Sequence, residues 1–346
     1  MASTTKLMTA YVTLHRLALN KFLVAPPYHP IPGESLLGLK AGERMSVRDL
    51  LYGLLLPSGN DSAVTLADGV AGSTPAFVGE MNRAARRLGL RGTSFANPVG
   101  LDEPGNYSSP LDLAKLALRL RRERVFRRIV DTKRATLKTG AHPRRIVNRN
   151  DLVLEVPWIN GVKTGYTLDA GHVLVGSGTR KGVTLLSVVM GAPSISARDA
   201  DTLGLLRYGF SLYRRQTPVS EGETLAHRTV PNGDRRLSLV AGRTIRATVR
   251  RGQRLDVRVD APRSVRAPIG RGERIGGAIV TVGDETVGRT PLLAGHTVSV
   301  AGGESLAGRV DDALPGPRAV AWAAVAAGVV MILIGIGALL ARRRRG

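Results

Sequence analysis

The chain has 346 residues and no cysteine, so it forms no disulfide and carries out no thiolate chemistry. Aromatic residues make up only 4% of it, which leaves few platforms on which nucleic-acid bases could stack. Its six histidines, among them His29, His142 and His172, are scattered without metal-ligand spacing. The sequence therefore predicts no metal, no other cofactor and no nucleic-acid partner.

Acidic residues are also scarce, because 27 Asp and Glu face 50 Lys and Arg and the net charge is +23. The basic residues are spread along the chain rather than gathered with aromatics. Such a charge suits an anionic membrane surface and acidic wall polymers, although a high arginine content can also reflect genome composition alone. With 43% hydrophobic residues, the chain is long enough for two domains and a sizeable core.

A serine and a lysine stand three residues apart at Ser3-Thr4-Thr5-Lys6, in a segment predicted to be helical from residue 3 to about residue 20. That spacing puts both side chains on one helix face, with the serine in the first turn where free N–H groups favour an oxyanion. The pattern indicates a serine activated by an amine. Taken alone it is not specific, since a helix start followed by a solvated lysine has the same spacing.

Two further triplets follow in order. Ser58-Gly59-Asn60 lies in a loop between two predicted helices, and Lys163-Thr164-Gly165 opens a predicted strand. The ordered combination of the three elements is typical of penicillin-binding proteins and class A β-lactamases. Coincidence does not account well for all three.

The similarity extends beyond the triplets and covers about residues 1–213. The chain resembles the D-alanyl-D-alanine carboxypeptidases of low molecular mass, serine peptidases that trim peptidoglycan stem peptides. The matching segments are residues 2–9, 49–52, 57–61, 81–82, 95–98, 100–101 and 161–167. The resemblance implies a substrate ending in D-alanyl-D-alanine and inhibition by β-lactam antibiotics.

The resemblance also implies roles for the motif residues in acyl transfer. Ser3 is expected to be the nucleophile, and Lys6, partly desolvated beside Lys163, is expected to take its proton. Ser58 would relay a proton to the leaving amine, and Asn60 would orient Lys6 and the substrate backbone.

The remaining candidates bind substrate. Lys163 and Thr164 suit a terminal carboxylate, and Gly165 has no side chain, so a substrate can pair with the strand backbone. By resemblance, the oxyanion hole combines the nucleophile's N–H with that of Tyr166. Arg198 stands where the family often has a carboxylate-binding arginine, and a solvated arginine beside aspartates is the alternative.

Two other readings stay open on the sequence. A class A β-lactamase would deacylate with a glutamate from a Glu-x-x-x-Asn segment in the helical insert, and none occurs between Asn60 and Lys163, since Glu103 has the wrong spacing. Penicillin is therefore expected to acylate the protein and leave slowly. The other reading is a catalytically impaired, membrane-anchored wall-binding protein. Carboxypeptidase and endopeptidase action are not separated.

The expected fold is an α/β (α+β) β-lactamase/DD-peptidase-like domain over residues 1–214, with an antiparallel sheet and an all-helical insert. After residue 215, short alternating strands predict a small antiparallel β domain that extends to residue 310. Helices are predicted at residues 47–55, 61–70, 75–88, 110–122 and 197–213, and Ser46 is the predicted N-cap of the first of these. A hairpin is predicted to join residues 172–178 to 183–191, and the β domain is expected to include strands at 255–259 and 278–282.

The end of the chain predicts a membrane anchor. After a linker at 311–318, residues 319–341 carry no formal charge and as a helix would span about 34 Å. The basic tail 342–346 is expected to stay cytoplasmic, which places the catalytic domain outside the cell. Met1 is followed at once by the catalytic motif without an export signal, so we expect an N-terminally truncated sequence, or else a shortened and inactive product.

Overall fold

The computed structural model describes residues 1–301 and divides into two compact units. The first comprises Met1–Gln216 with Thr248–Gln253, and the second comprises Thr217–Ala247 with the described residues from Arg254 on. The predicted linker, membrane helix and basic tail lie outside the described residues. Within residues 1–301, no helix combines the length and the apolar character needed to cross a membrane.

The first unit is rich in helices. A 3-10 helix covers Ala2–Thr5, and the α-helices are α1 (Lys6–Arg16), α2 (Val47–Leu55), α3 (Asn60–Ala71), α4 (Thr74–Arg87), α5 (Pro110–Leu120), α6 (Arg124–Asp131), α7 (Asp151–Glu155) and α8 (Ile195–Leu212). The Ser46 side chain accepts from the Asp49 N–H at 3.2 Å, which confirms the predicted N-cap of α2. The predicted helices of the middle stretch and α8 are confirmed, with ends that differ by one or two residues.

The strands of this unit form three small antiparallel sheets. They are β1 (Phe22–Val24) with β2 (Arg44–Ser46), β3 (Arg134–Leu137) with β4 (Arg144–Val147), and β5 (Ile159–Thr167), β6 (Gly171–Arg180) and β7 (Val183–Ala192) in that order. The predicted hairpin is β6–β7, and its turn residues Lys181 and Gly182 both have positive φ, as a two-residue hairpin turn requires. The strand that carries Lys163 lies at the edge, as predicted.

Three details of the prediction were wrong. The expected single helix from residue 3 to about 20 is a 3-10 turn followed by α1, which ends at Arg16. The middle stretch is not all helical, because β3 and β4 interrupt it with a hairpin too short to show a clear period in the sequence. The motif strand begins at Ile159 rather than at Lys163.

Helix α1 lies at the centre of the first unit. It contacts α2, α3, α4 and α5, and Leu7, Met8 and Ala10 are fully buried. Burial on nearly all sides fixes the axis of α1, and with it the position of the Ser-x-x-Lys motif at its N-terminal end. Helix α8 packs on β6 and β7.

The second unit is an antiparallel β domain, as predicted. The strands of this part of the chain are β8 (Tyr213–Val219), β9 (Thr224–Arg228), β10 (Leu237–Ala241), β11 (Ile245–Arg250), β12 (Asp256–Asp260), β13 (Arg274–Val282) and β14 (Glu285–Ala294). Five of them form one sheet in the order β12-β13-β14-β10-β9, and β11 pairs with β8 in a two-stranded sheet whose residues are divided between the two units. Strand β13 begins four residues before the predicted strand. A buried core that includes Leu237, Leu239 and Leu292 stabilises the five-stranded sheet.

Candidate active site

Lys6 is the centre of the candidate site and is fully buried. Its Nζ lies 3.0 Å from Ser3 Oγ, 2.6 Å from Asn60 Oδ1 and 2.6 Å from the Val99 carbonyl oxygen. The serine and the lysine meet because the 3-10 turn runs directly into α1, so that residues three apart remain on one face. The structure thus joins the first motif to the second through the Lys6 amine.

The surroundings of Lys6 favour the neutral amine. Burial and the neighbouring Lys163 hold the pKa of Lys6 well below its usual range, while Glu34 and Asp61 act in the opposite direction. A neutral lysine has a lone pair with which it can accept a proton from a hydroxyl 3.0 Å away. The geometry therefore supports an amine base beside the Ser3 hydroxyl.

Two glycines allow the backbone to pack closely around Ser3. A Cβ on Gly165 of β5 would lie 3.0 Å from the Ser3 nitrogen, and one on Gly100 would lie 2.0 Å from the Ala2 carbonyl oxygen. Gly100 also has φ +90°, a conformation that other residues rarely adopt. The sequence suggested that Gly165 leaves room for substrate; in the structure, it also lets the strand approach the serine turn.

Ser58 reaches the site through an unusual backbone conformation. It has φ +69°, is 3% exposed, and its Oγ has no hydrogen-bond partner among the described residues. A buried hydroxyl without a partner costs free energy, and such costs are common at functional sites. The Ser58 hydroxyl is therefore available to a bound molecule.

A cleft of about 980 Å³ opens beside these groups. Of the nine candidate residues, the structure brings six to its lining, while Lys6, Asn60 and Lys163 lie buried behind that surface. The six lining candidates are Ser3, Ser58, Thr164, Gly165, Tyr166 and Arg198.

Lys163 is 1% exposed, and its Nζ donates to the Thr164 carbonyl oxygen at 3.0 Å. Burial, followed by the charges of Arg149 and Arg198, lowers the pKa of Lys163 to about 7. Three cationic side chains around one part of the cleft favour an anionic group of a ligand there.

Arg198 is not the solvated arginine of the alternative interpretation. It is 4% exposed in α8, and its Nε donates to Asp199 Oδ1 at 2.8 Å. Tyr166, by contrast, is 55% exposed, and its ring stacks on that of His172 with the centroids 4.4 Å apart. His172 also lines the cleft, although the sequence indicated only a surface or satisfied histidine.

Glu34 and Tyr28, which no pattern in the sequence indicated, extend the network behind Lys6. Asn60 Nδ2 donates to Glu34 Oε2 at 2.7 Å, and the Tyr28 hydroxyl donates to the same oxygen. Both residues lie in the loop between β1 and β2, which carries no periodic pattern. Only proximity in the folded chain reveals them.

Family comparisons give matches for both units. Residues 1–194 match the D-alanyl-D-alanine carboxypeptidase family, and residues 213–300 match the C-terminal domain of penicillin-binding protein 5. Among curated proteins, the chain is 30% identical to the D-alanyl-D-alanine carboxypeptidase DacF of Bacillus subtilis over 87% of this chain and 80% of that protein. It is 36% identical to DacA of Escherichia coli over 74% of this chain and 66% of that protein.

Solved structures show the same similarity. Penicillin-binding protein 5 from Haemophilus influenzae superposes with a TM-score of 0.61 at 29% identity, covering 86% of this chain and 90% of that one. A DD-transpeptidase from a Streptomyces strain superposes with a TM-score of 0.58 at 38% identity, covering 61% of this chain and 87% of that one.

Proposed function

Because the chain belongs to the D-alanyl-D-alanine carboxypeptidase family, we propose that it removes the terminal D-alanine from peptidoglycan stem peptides that end in D-alanyl-D-alanine. The observation that carries the proposal is the buried Lys6 amine, which lies 3.0 Å from the Ser3 hydroxyl and 2.6 Å from Asn60. Release of D-alanine is the carboxypeptidase reaction; transfer to an amine instead of water would be the transpeptidase variant.

In the proposed acylation step, Ser3 Oγ attacks the carbonyl carbon of the bond between the two terminal D-alanines. Lys6, whose burial lowers its pKa and so favours the neutral amine, takes the hydroxyl proton as the new C–O bond forms. The N–H groups of Ser3 and Tyr166 are proposed to stabilise the oxyanion of the tetrahedral intermediate.

Collapse of that intermediate breaks the C–N bond. The leaving amine needs a proton, which we propose passes from the Lys6 ammonium through the Ser58 hydroxyl, since this hydroxyl has no other partner among the described residues. D-alanine then leaves, and water attacks the ester on Ser3 with Lys6 again as base. The ester C–O bond breaks, and Lys6 returns the proton that it took from water to Ser3 Oγ, which leaves the shortened peptide acid and the enzyme in its starting form.

The cationic part of the cleft is the proposed site for the terminal carboxylate. Thr164 offers a hydroxyl donor at the lining, and the buried Lys163 and Arg198 supply positive charge. Since the pKa of Lys163 is about 7, we expect the affinity for substrate to weaken as the pH rises above that value.

We test the reaction with a labelled penicillin, followed by peptide mapping and measurement of D-alanine release from a D-alanyl-D-alanine peptide. Label is expected on Ser3 and is expected to be lost in Ser3→Ala. Ser211→Ala is the matched control, because Ser211 is an exposed serine at the end of α8. Label on another residue, or none, would refute the assignment.

We also propose that the protein is held in the cell membrane by residues 319–341, with the catalytic domain outside the cell and the C-terminus in the cytoplasm. The support is the uncharged segment and the arginine residues that follow it. A reporter fused after Gly346 should be active only in the cytoplasm, and activity only outside the cell would reverse the orientation.

A further inference from the structure

Glu34 is the one carboxylate that hydrogen-bonds directly to Asn60 among the described residues. Its Oε2 accepts from Asn60 Nδ2 at 2.7 Å and from the Tyr28 hydroxyl, and its Oε1 accepts from the Ile31 N–H at 3.0 Å. Asn60 Oδ1 in turn accepts from Lys6 Nζ at 2.6 Å. One amide therefore connects the Lys6 amine with a carboxylate.

The loop that carries Glu34 is fixed against the start of α3. The buried Asp61 carboxylate accepts from the N–H groups of Leu37, Gly38 and Leu39 at 2.9, 2.7 and 2.9 Å. The Asn60 N–H also donates to the Ser35 carbonyl oxygen at 2.8 Å. Glu34 is thus held in place by backbone contacts on the residues that follow it.

The hydrogen-bond chemistry of the amide gives Glu34 its role. A carboxylate only accepts, so the Asn60 group that faces it must be the NH₂, and the oxygen must face Lys6. A flipped amide would oppose the Glu34 carboxylate with its oxygen, which loses that hydrogen bond, and its N–H donors would compete with the Ser3 hydroxyl for the lone pair of a neutral Lys6 amine. The amide orientation therefore depends on Glu34.

We propose that Glu34 is a positioning residue that, together with Tyr28, fixes the Asn60 amide with its oxygen toward Lys6 and places one negative charge behind the amine. The proposal rests on the proposed function, in which Lys6 is the base. Tyr28 suits this role because burial and its contact with Glu34 raise the pKa of its hydroxyl, so it remains a donor. Although burial opposes it, hydrogen bonds from Asn60 and Tyr28 keep the pKa of Glu34 below its usual value, so it stays a carboxylate.

The charged groups around Lys6 come from four parts of the fold. Lys163 on β5 and Arg149 after β4 disfavour the ammonium form, while Glu34 in the loop and Asp61 on α3 favour it. Removing the Glu34 charge leaves one carboxylate against two cations. Neutralisation should therefore lower the pKa of Lys6, and the acid limb of its pH–rate profile should move to lower pH.

The experiment measures the acylation rate with a labelled penicillin against pH for the wild type, Glu34→Gln and Tyr28→Phe. The Glu34 carboxylate and the Lys6 amine are separated by two hydrogen bonds and the Asn60 amide. For that separation, Coulomb's law gives a downward shift of the acid limb of roughly 0.5 to 1.5 pH units in Glu34→Gln. Its plateau rate should fall about tenfold, because an amide at residue 34 accepts less strongly and no longer forces one orientation of Asn60. Tyr28→Phe keeps the charge, so it should lower the plateau without that shift.

The control is Glu80→Gln, which removes the same charge from the surface of α4, where Glu80 pairs with Arg16 and Arg83. It should leave both the limb and the plateau unchanged. An acid limb that stays in place in Glu34→Gln, or that moves equally in Glu80→Gln, would overturn the proposal. A wild type that penicillin does not acylate at Ser3 would instead refute the proposed function, and NMR titration of the Lys6 amine in both forms would then decide the link to Glu34.

Discussion

Replacing Lys163 by methionine should stabilise the first unit while removing its proposed carboxylate ligand. Methionine fills a similar volume but needs no solvation of a charge. Lys163 is 1% exposed, and among the described residues its Nζ forms one hydrogen bond, to the Thr164 carbonyl oxygen. The variant therefore replaces a buried cation, whose lost hydration one hydrogen bond compensates only in part, by an apolar side chain.

The size of the effect follows from the pKa of Lys163, which burial first, and then Arg149 and Arg198, lower from 10.5 to about 7. At 1.36 kcal/mol per unit, the protonated lysine destabilises the folded state by about 5 kcal/mol below pH 7. Losing the hydrogen bond to the Thr164 carbonyl oxygen reduces this gain in stability by about 1 kcal/mol. We expect Lys163→Met to raise the free energy of unfolding by about 2 to 4 kcal/mol at pH 6.

The pH dependence gives the sharper test. Between pH 7 and 10.5, the unfolded lysine is protonated and the folded one is not, so wild-type stability rises with pH over that window. The advantage of the variant should therefore shrink by about 1.4 kcal/mol per pH unit above pH 7.

Urea unfolding followed by Trp158 fluorescence measures this free energy, since Trp158 packs edge-on against Phe210 in the first unit. A Trp322→Phe background removes the second of the two tryptophans. Lys133→Met is the matched control, because exposed Lys133 also donates to a backbone carbonyl, that of Leu154, at 2.8 Å. A Lys163→Met variant that is less stable than the wild type at pH 6, or whose advantage does not change with pH, would contradict this prediction.

Two further predictions concern packing and a buried ion pair. Gly165→Ala should lower the free energy of unfolding by about 1 to 3 kcal/mol and slow penicillin acylation at least about tenfold, because the new Cβ would press on the Ser3 nitrogen. Gly204→Ala is the control in both assays, since its Cβ would lie in open space. Burial raises the pKa of the Glu43 carboxyl, but hydrogen bonds from Arg144 outweigh this effect and hold that pKa at about 2. The ionised carboxylate therefore stabilises the fold fully above pH 4.5, and this stabilisation is lost as the pH falls through 2. Glu43→Gln should therefore cost about 3 to 5 kcal/mol at pH 7 in urea unfolding, and equal stability of the two proteins at pH 7 would contradict this.

Local rules explain why much of the fold could be predicted from the sequence. Helix α2 has a serine N-cap and an apolar face of helical period, so its ends are set by neighbours within a few residues. The β6–β7 hairpin has its turn at Lys181-Gly182 between two apolar runs. The short β3–β4 hairpin was missed because four-residue strands carry too little periodicity.

The order of residues along the chain was enough to predict the candidate site, because Ser3, Lys6, Ser58, Asn60 and Lys163 belong to ordered motifs with fixed internal spacing. Their separation along the chain says nothing about what surrounds them. The full burial of the Lys6 amine is a property of the folded chain and could not be predicted from these motifs.

The contact of Glu34 with Asn60 and the packing of Gly165 on the serine turn also arise only in the folded chain. The physical reason is that burial, pKa shifts and amide orientation depend on groups brought together from distant parts of the chain. Such contacts leave no periodic or local signal at the residues that make them.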